Sequence, residues 1–441
     1  MNLAITVPLN TFVKLMHELG ILEYKNFIKH SFQVAKLSKQ IAQNINLDYE
    51  PEQIYLAGLL HDFGLVLKAS VENYELFKDI FRNTPDIEKV VLALDKKDQH
   101  SLLSNLVTSK IQFVNPDCSK ALLYHHMSGN EIGESKKIAL LANCIKAADT
   151  ISLANIRKKR DELSAESMEE MVNAIEKDRG LFEEVKKASL EIIHDYTKIF
   201  DLLDEQDDFS SSKQLSLKDF ETGAKLIATL MDLRSPYTRS HTFLVTRVAK
   251  QLTAELMSEE DSRFMTVAAL LHDIGKISTP LEILHKKSSL NDKELLIMRR
   301  HAVETHRMLS RAGIKAVADV SASHHERLDG SGYPVGLKSN ETTIYMRILQ
   351  VSDVFSALVE KRPYRDAVSL NEAIEILEKE ASFKKLDSQV CKKLKELINN
   401  GYLDEFFTNR FTHVLEDLFE LKFNEIDTIF ERDFDGWEGL F

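Results

Sequence analysis

At 441 residues, with 57 Lys and Arg against 69 Asp and Glu and a formal net charge of −12, the chain is too long for one ordinary core and has no overall attraction for a polyanion. That balance argues against a polymeric nucleic acid or an anionic membrane surface as partner, so an anionic substrate must be attracted locally. Fifteen Gly and eight Pro are few for this length, which predicts an all-α protein with short connections.

The cysteines, Cys118, Cys144 and Cys391, are odd in number and fit a reducing compartment. The start lacks a signal-peptide pattern, and no run approaches about 20 apolar residues. A cytoplasmic protein without membrane insertion is expected.

From about Thr11 to Leu47 the spacing is helical, and His30 shares an apolar stripe with Val34, Leu37 and Ile41. The next helix, entered near Pro51, runs through Leu59-Leu60 into His61-Asp62. His100 follows, then His125-His126, then a helix whose apolar face carries Asp149. Arg157 to about Leu203 is highly charged, with a narrow seam of Met168, Met171, Val172 and Ile175. This reads as a solvated connecting helix or a stalk through which a homodimer would form. An acidic and Ser-rich patch, Asp201 to Ser216, marks a domain boundary.

The second half repeats the first. His241 lies on a stripe with Leu244, Val248 and Leu252; a helix ends at His272-Asp273; His301, His324-His325 and Asp353 follow. From the first His to the His-Asp pair is 31 residues in both halves; from there to the next His 39 and 29; thence to the His pair 25 and 23; and from the second His of the pair to Asp 23 and 28. Identical residue types in identical order, drifting only where loops vary, indicate internal duplication. The expected organisation is two tandem homologous helical domains, 1–156 and 217–400, joined by a charged helical linker, 157–216. An aromatic-rich helical tail, 401–441, runs from Phe406 to Phe441 and reads as packing or oligomer surface.

Imidazoles and carboxylates without thiolates describe a site for Fe, Mn, Zn or Ni. Five His and two Asp exceed the needs of one tetrahedral ion, so two divalent ions are expected, with a carboxylate such as Asp273 between them. Two ions about 3.5–4 Å apart clamp the attacking and leaving oxygens of a phosphoryl displacement, which points to phosphoester hydrolysis. Lys276, Arg362 and Arg365 would supply the local positive field. Gly330, Gly332 and Gly336 cluster in a glycine-poor chain, and Tyr333 beside them could stack on a base.

From about Asp219 to Gln389 the chain resembles the HD-GYP family of HD-domain phosphohydrolases. The motifs are Tyr237–His241, His272-Asp273-Ile274-Gly275-Lys276, His301, His324-His325-Glu326-Arg327-Leu328-Asp329-Gly330-Ser331-Gly332-Tyr333-Pro334, and Asp353 followed by Arg362-Pro363-Tyr364-Arg365. The resemblance implies hydrolysis of a cyclic dinucleotide, by default cyclic di-GMP to linear pGpG and then GMP. The alternatives are a cyclic GMP-AMP phosphodiesterase or a receptor that binds without turnover. It implies His241, His272, Asp273, His301, His324, His325 and Asp353 as metal ligands, with Fe or Mn ahead of Ni or Zn, and Lys276, Arg362 and Arg365 on the scissile phosphate. Tyr237 stands where some members carry the Glu that recruits a third metal, so a binuclear site is expected. Ser356 and Leu386-Asp387-Ser388 also depart from the family pattern.

The first half keeps a ligand set of its own, His30, His61, Asp62, His100, His125, His126 and Asp149, and so a second metal site. It has Leu65 in place of the lysine, Met127-Ser128-Gly129-Asn130 in place of the Gly-Tyr-Pro loop, and Lys158 and Asp161 where the arginines would fall. A regulatory or structural domain is expected there, the alternative being a weaker second phosphohydrolase site with another substrate.

Overall fold

The computed structural model describes residues 6–22, 25–65, 100–109, 111–157, 163–204, 209–232, 239–360 and 366–403. Tyr237, Arg362, Arg365, Lys158, Asp161 and the aromatic run from Phe406 onward lie outside the described residues. The regular elements among the described residues are helices except for two three-residue strands. No described helix is long and apolar enough to cross a membrane. Among the described residues two compact units result: one within Glu23–Ser211, and one that joins the segment to Leu22 with the chain from Ser212 to Leu403.

The N-terminal unit is built on α2 (Lys25–Asn44), α3 (Pro51–Leu60) and α6 (Lys136–Arg157). Pro51 starts α3 where its missing N–H costs nothing. Val34, Ala35, Leu37 and Ile41 of α2 are buried. Gly58 permits the close crossing of α3 over them, because a Cβ there would lie 2.7 Å from Ala35 Cα. Two shorter helices, α4 (His100–Thr108) and α5 (Pro116–Leu123), complete the ligand-bearing part; Asn115 caps α5 by accepting from Asp117 N at 2.9 Å.

Helices α7 (Ala165–Lys177), α8 (Glu183–His194) and α9 (Tyr196–Leu203) belong to this same unit. The expectation of a solvated linker or stalk over 157–203 is therefore corrected. Met171, Ile175, Val185, Ile192 and Ile199 are fully buried, and Gln33 Nε2 donates to Leu203 O at 2.8 Å. The charged residues are the outer faces of amphipathic helices whose narrow apolar seams suffice to dock them.

The C-terminal unit begins with a segment from the other end of the sequence. β1 (Thr6–Pro8) pairs antiparallel with β2 (Gln214–Ser216), with Val7 opposite Leu215. Helix α1 (Leu9–Leu22) buries Phe12, Val13, Met16 and Leu19, and Thr11 Oγ1 donates to Ala312 O at 2.7 Å. The expected boundary at residue 1 moves accordingly: the apolar face of α1 and the lone strand β1 both find their partners in this unit.

Its main helices are α10 (Leu217–Asp232), α11 (Arg239–Leu256), α12 (Glu259–Leu270), α14 (Asp292–Arg311) and α16 (Ile344–Val359). Short α13 (Leu281–Leu284) and α15 (Lys315–Ser321) lie between them, and α17 (Leu370–Ser382) and α18 (Ser388–Asn399) close the unit. Capping boxes at Ser258/Asp261 and Asn291/Glu294 start α12 and α14. Asp387 both caps α18 and accepts from Arg347 at 2.9 Å.

The duplication is visible in local geometry. Three residues past the His of each His-Asp pair stands a glycine whose Cβ would strike a backbone carbonyl: Gly64 at 2.0 Å from His100 O, and Gly275 at 2.1 Å from His301 O. Each glycine N–H donates to a hydroxyl one turn beyond that histidine, Gly64 to Ser104 at 2.8 Å and Gly275 to Thr305 at 3.0 Å. The His-Asp turn is thus clamped onto the helix carrying the next ligand. Gly275→Ala is expected to destabilise the C-terminal unit by about 1–3 kcal/mol through overpacking. Thermal unfolding followed by circular dichroism would register this as a lower midpoint, and an unchanged midpoint would contradict the clamp.

Candidate metal centre

In the C-terminal unit five elements converge. His241 comes from α11, His272 and Asp273 from the turn after α12, His301 from α14, His324 and His325 from the turn after α15, and Asp353 from α16. All seven were named from the sequence and all seven meet. Every one is buried except His325, whose side chain is 24% exposed.

The Asp273 carboxylate stands at the middle. Its Oδ2 lies 3.1 Å from His272 Nε2, and its Oδ1 lies 3.4 Å from His301 Nε2 and 3.6 Å from His324 Nε2. Asp353 spans the other side, with Oδ1 at 3.0 Å from His241 Nε2 and Oδ2 at 3.5 Å from His325 Nδ1. His241, His272 and Asp273 form one metal-capable group, and His301, His324 and His325 another.

The hydrogen bonds fix which nitrogen of each ring is available. His272 Nδ1 donates to Ala269 O at 2.7 Å, His301 Nδ1 to Met298 O at 2.6 Å and His324 Nδ1 to Ser321 O at 2.7 Å. With Nδ1 committed to a carbonyl, Nε2 is the only atom each ring can offer a metal. Yet His301 Nε2 and His324 Nε2 face each other at 3.2 Å, and His272 Nε2 and Asp273 Oδ1 are buried without a hydrogen-bond partner. Inward lone pairs this close repel unless a cation lies among them, and such orphaned groups are costly without one. The donor set therefore fits divalent metal.

Electrostatics agree. Burial lowers the His301 and His324 pKa values to about 4 and about 3, keeping both rings neutral. Burial alone would raise the Asp273 carboxyl, but His272 and Lys276 outweigh it and hold it well below the ordinary range. Lys276 Nζ lies 2.5 Å from Asp273 Oδ2 at the edge of the cluster.

Several contributors escaped sequence reading. Glu360 accepts from His241 Nδ1 at 3.0 Å; it is the C-cap residue of α16, seven residues beyond Asp353, and that spacing was its only signal. Glu326 is buried and accepts from the N–H groups of Val335, Gly336 and Leu337 at 2.7–3.2 Å, so it holds the Gly-Tyr-Pro loop in place. Gly330 and Gly336 adopt φ of +83° and +81°. A Cβ on Gly332 would lie 2.3 Å from Arg327 N, so its close approach is to the chain itself. Tyr333 packs its ring 4.7 Å from that of His325, with the Arg299 guanidinium 5.0 Å from the Tyr333 centroid. Arg299 thus adds a cation beside the loop that no motif indicated.

The N-terminal ligand set also meets. His30, His61 and Asp62 form one group, and Asp62, His100, His125 and His126 another. Asp149 Oδ1 lies 3.3 Å from His30 Nε2. Leu65, in place of the lysine, is partly buried.

The HD domain family matches residues 224–390 and the HDOD domain family residues 1–97. The 3'3'-cGAMP-specific phosphodiesterase 1 of Vibrio cholerae is 30% identical over 388 residues, 82% of this chain and 85% of that protein. The cyclic di-GMP phosphodiesterase of Thermotoga maritima is 39% identical over 158 residues, covering 35% of this chain and 43% of that protein. Among solved structures, a cyclic GMP-AMP-specific phosphodiesterase of V. cholerae superposes with a TM-score of 0.52 at 19% identity, over 89% of this chain and 98% of that one. That likeness bears on the fold.

Removing the second carboxylate behind His241, as in Glu360→Ala, should weaken metal binding about 10–100-fold. A chelator-competition titration measures this, and an affinity equal to wild type would strip Glu360 of its orienting role.

Proposed function

The chain belongs to the HD-GYP family of HD-domain phosphohydrolases, and we propose from this membership and the ligand geometry that it hydrolyses a phosphodiester bond of a cyclic dinucleotide with divalent metal. The observation that carries the reading is the set of inward lone pairs around Asp273, with the Lys276 ammonium 2.5 Å from the same carboxylate. His241, His272, His301, His324, His325, Asp273 and Asp353 would hold two ions, Fe or Mn before Ni or Zn. What such a pair supplies when bound is polarisation of phosphoryl oxygens and activation of water near neutral pH.

The protein's own groups do the rest. Lys276 offers a charge to the oxygens on which negative charge develops, as Arg362 and Arg365 would from the segment after α16. Glu326 keeps the Tyr333 loop rigid at the edge of the cluster, and Arg299 and Tyr333 give that edge a cation and an aromatic face. These features suit an anionic ligand with flat bases in a protein whose net charge is −12.

Cyclic di-GMP, opened to linear pGpG and then to GMP, is the leading substrate. Cyclic GMP-AMP is the second reading, supported by the V. cholerae relative that matches across both halves. A product assay with Fe²⁺ or Mn²⁺ over both nucleotides tests the reading. Wild type should give metal-dependent linear dinucleotide. Asp273→Ala should lose about 10³-fold or more, the several kcal/mol that metal-ion catalysis supplies, and Lys276→Ala about 10²–10³-fold. Tight nucleotide binding with no metal-dependent product would make the protein a receptor instead.

A further inference from the structure

The cluster in the N-terminal unit is as complete as the one in the C-terminal unit, although its surroundings are different. Asp62 divides its two oxygens between two sets of imidazoles. Oδ2 lies 3.2 Å from His61 Nε2 and 3.7 Å from His30 Nε2; Oδ1 lies 3.3 Å from His100 Nε2 and 3.7 Å from His125 Nε2. Asp149 Oδ1 closes the first set at 3.3 Å from His30 Nε2 and 4.0 Å from His61 Nε2.

Ring tautomers are again dictated from outside. His61 Nδ1 donates to Gly58 O at 2.9 Å and His125 Nδ1 to Leu122 O at 2.6 Å. His30 Nδ1 lies 2.9 Å from the Ser152 hydroxyl, which itself donates to Gln33 Oε1 at 2.7 Å. Gln33 in turn donates from Nε2 to Leu203 O at 2.8 Å, which settles its amide orientation. Ser152 must therefore accept from His30, and with Nδ1 of all three rings committed outward, Nε2 is the ligand atom each offers at the centre. Five buried atoms at this convergence have no hydrogen-bond partner: His30 Nε2, His61 Nε2, His125 Nε2, Asp62 Oδ1 and Asp149 Oδ1. One such atom in a fold is tolerable. Five on a single centre, two of them carboxylate oxygens, call for a cation.

We propose that the N-terminal unit holds a second dinuclear divalent-metal centre, bridged by Asp62, that is resident and does not hydrolyse phosphodiesters. His30, His61 and Asp149 serve one ion and His100, His125 and His126 the other, an oxygen and imidazole set that suits Fe, Mn, Ni or Zn. The phosphate-handling parts are replaced. Leu65 occupies the place of Lys276. The chain after His126 is tied into its own unit, with Gly129 N donating to Gly180 O at 2.8 Å and a Cβ on Gly129 lying 2.6 Å from the Phe182 ring.

Metal content of the full-length protein, by mass spectrometry after loading with Mn²⁺ and removal of loose ions, tests this separately from catalysis. Asp273→Asn should empty the C-terminal centre, abolish hydrolysis and leave about two ions per chain. Asp62→Asn should lose about two ions from the wild-type content while Mn²⁺-dependent hydrolysis remains. An Asp273→Asn protein with no bound metal, or an Asp62→Asn protein that binds as much as wild type, would overturn the second centre without touching the catalytic reading. Should Asp62→Asn fail to fold, the ion count of Asp273→Asn decides alone.

Discussion

A buried carboxylate set among histidines whose outer nitrogens are already committed is the constraint around which each unit is assembled. Asp273 and Asp62 sit where imidazole lone pairs converge from three or more elements. Neither arrangement is self-sufficient: in each, a buried carboxylate oxygen and one or more ring nitrogens converge at 3–4 Å without hydrogen-bond partners.

Helix ends supply much of the solution. His272 and His324 follow the last turns of α12 and α15, and His61 and His125 those of α3 and α5. The last four carbonyls of a helix lack intrahelical partners, and in each case the histidine Nδ1 donates to one of them. A single hydrogen bond satisfies the helix end and sets the ligand tautomer. It also brings the negative end of the helix dipole toward the place a cation would occupy. The same device used four times explains why the His-Asp and His-His pairs sit at helix ends rather than within helices.

The ligand set was legible because its order is rigid: a bridging carboxylate must follow a helix-ending histidine, and the remaining donors must come from helices packed on that turn. What surrounds the ligands was less so. Glu326 and Glu360 act through bonds to a loop and to a ring nitrogen, and a glutamate in a chain rich in glutamate carries no mark of that role. The placement of α1 was illegible for a related reason. Its apolar face predicts burial but not against which unit, and pairing of Val7 with Leu215 is a contact across 208 positions of sequence. Helices α7 to α9 were misread because a seam of two or three apolar residues per helix looks the same whether it docks on a core or on a second copy.

The difference between the two clusters lies outside the ligands. Where the C-terminal unit has an ammonium 2.5 Å from the bridging aspartate, the N-terminal unit has Leu65 at the same step in the repeat. A lysine there cannot ligate a metal while charged and competes with metal for the same carboxylate oxygen. Its replacement by an apolar residue removes that competition and leaves both Asp62 oxygens to the converging imidazoles. A duplicated site relieved of substrate would be expected to lose its histidines by drift if they served catalysis alone. All of them remain, with their tautomers still fixed through Gly58, Leu122 and the Ser152–Gln33 relay. That persistence is what a metal held for its own sake requires.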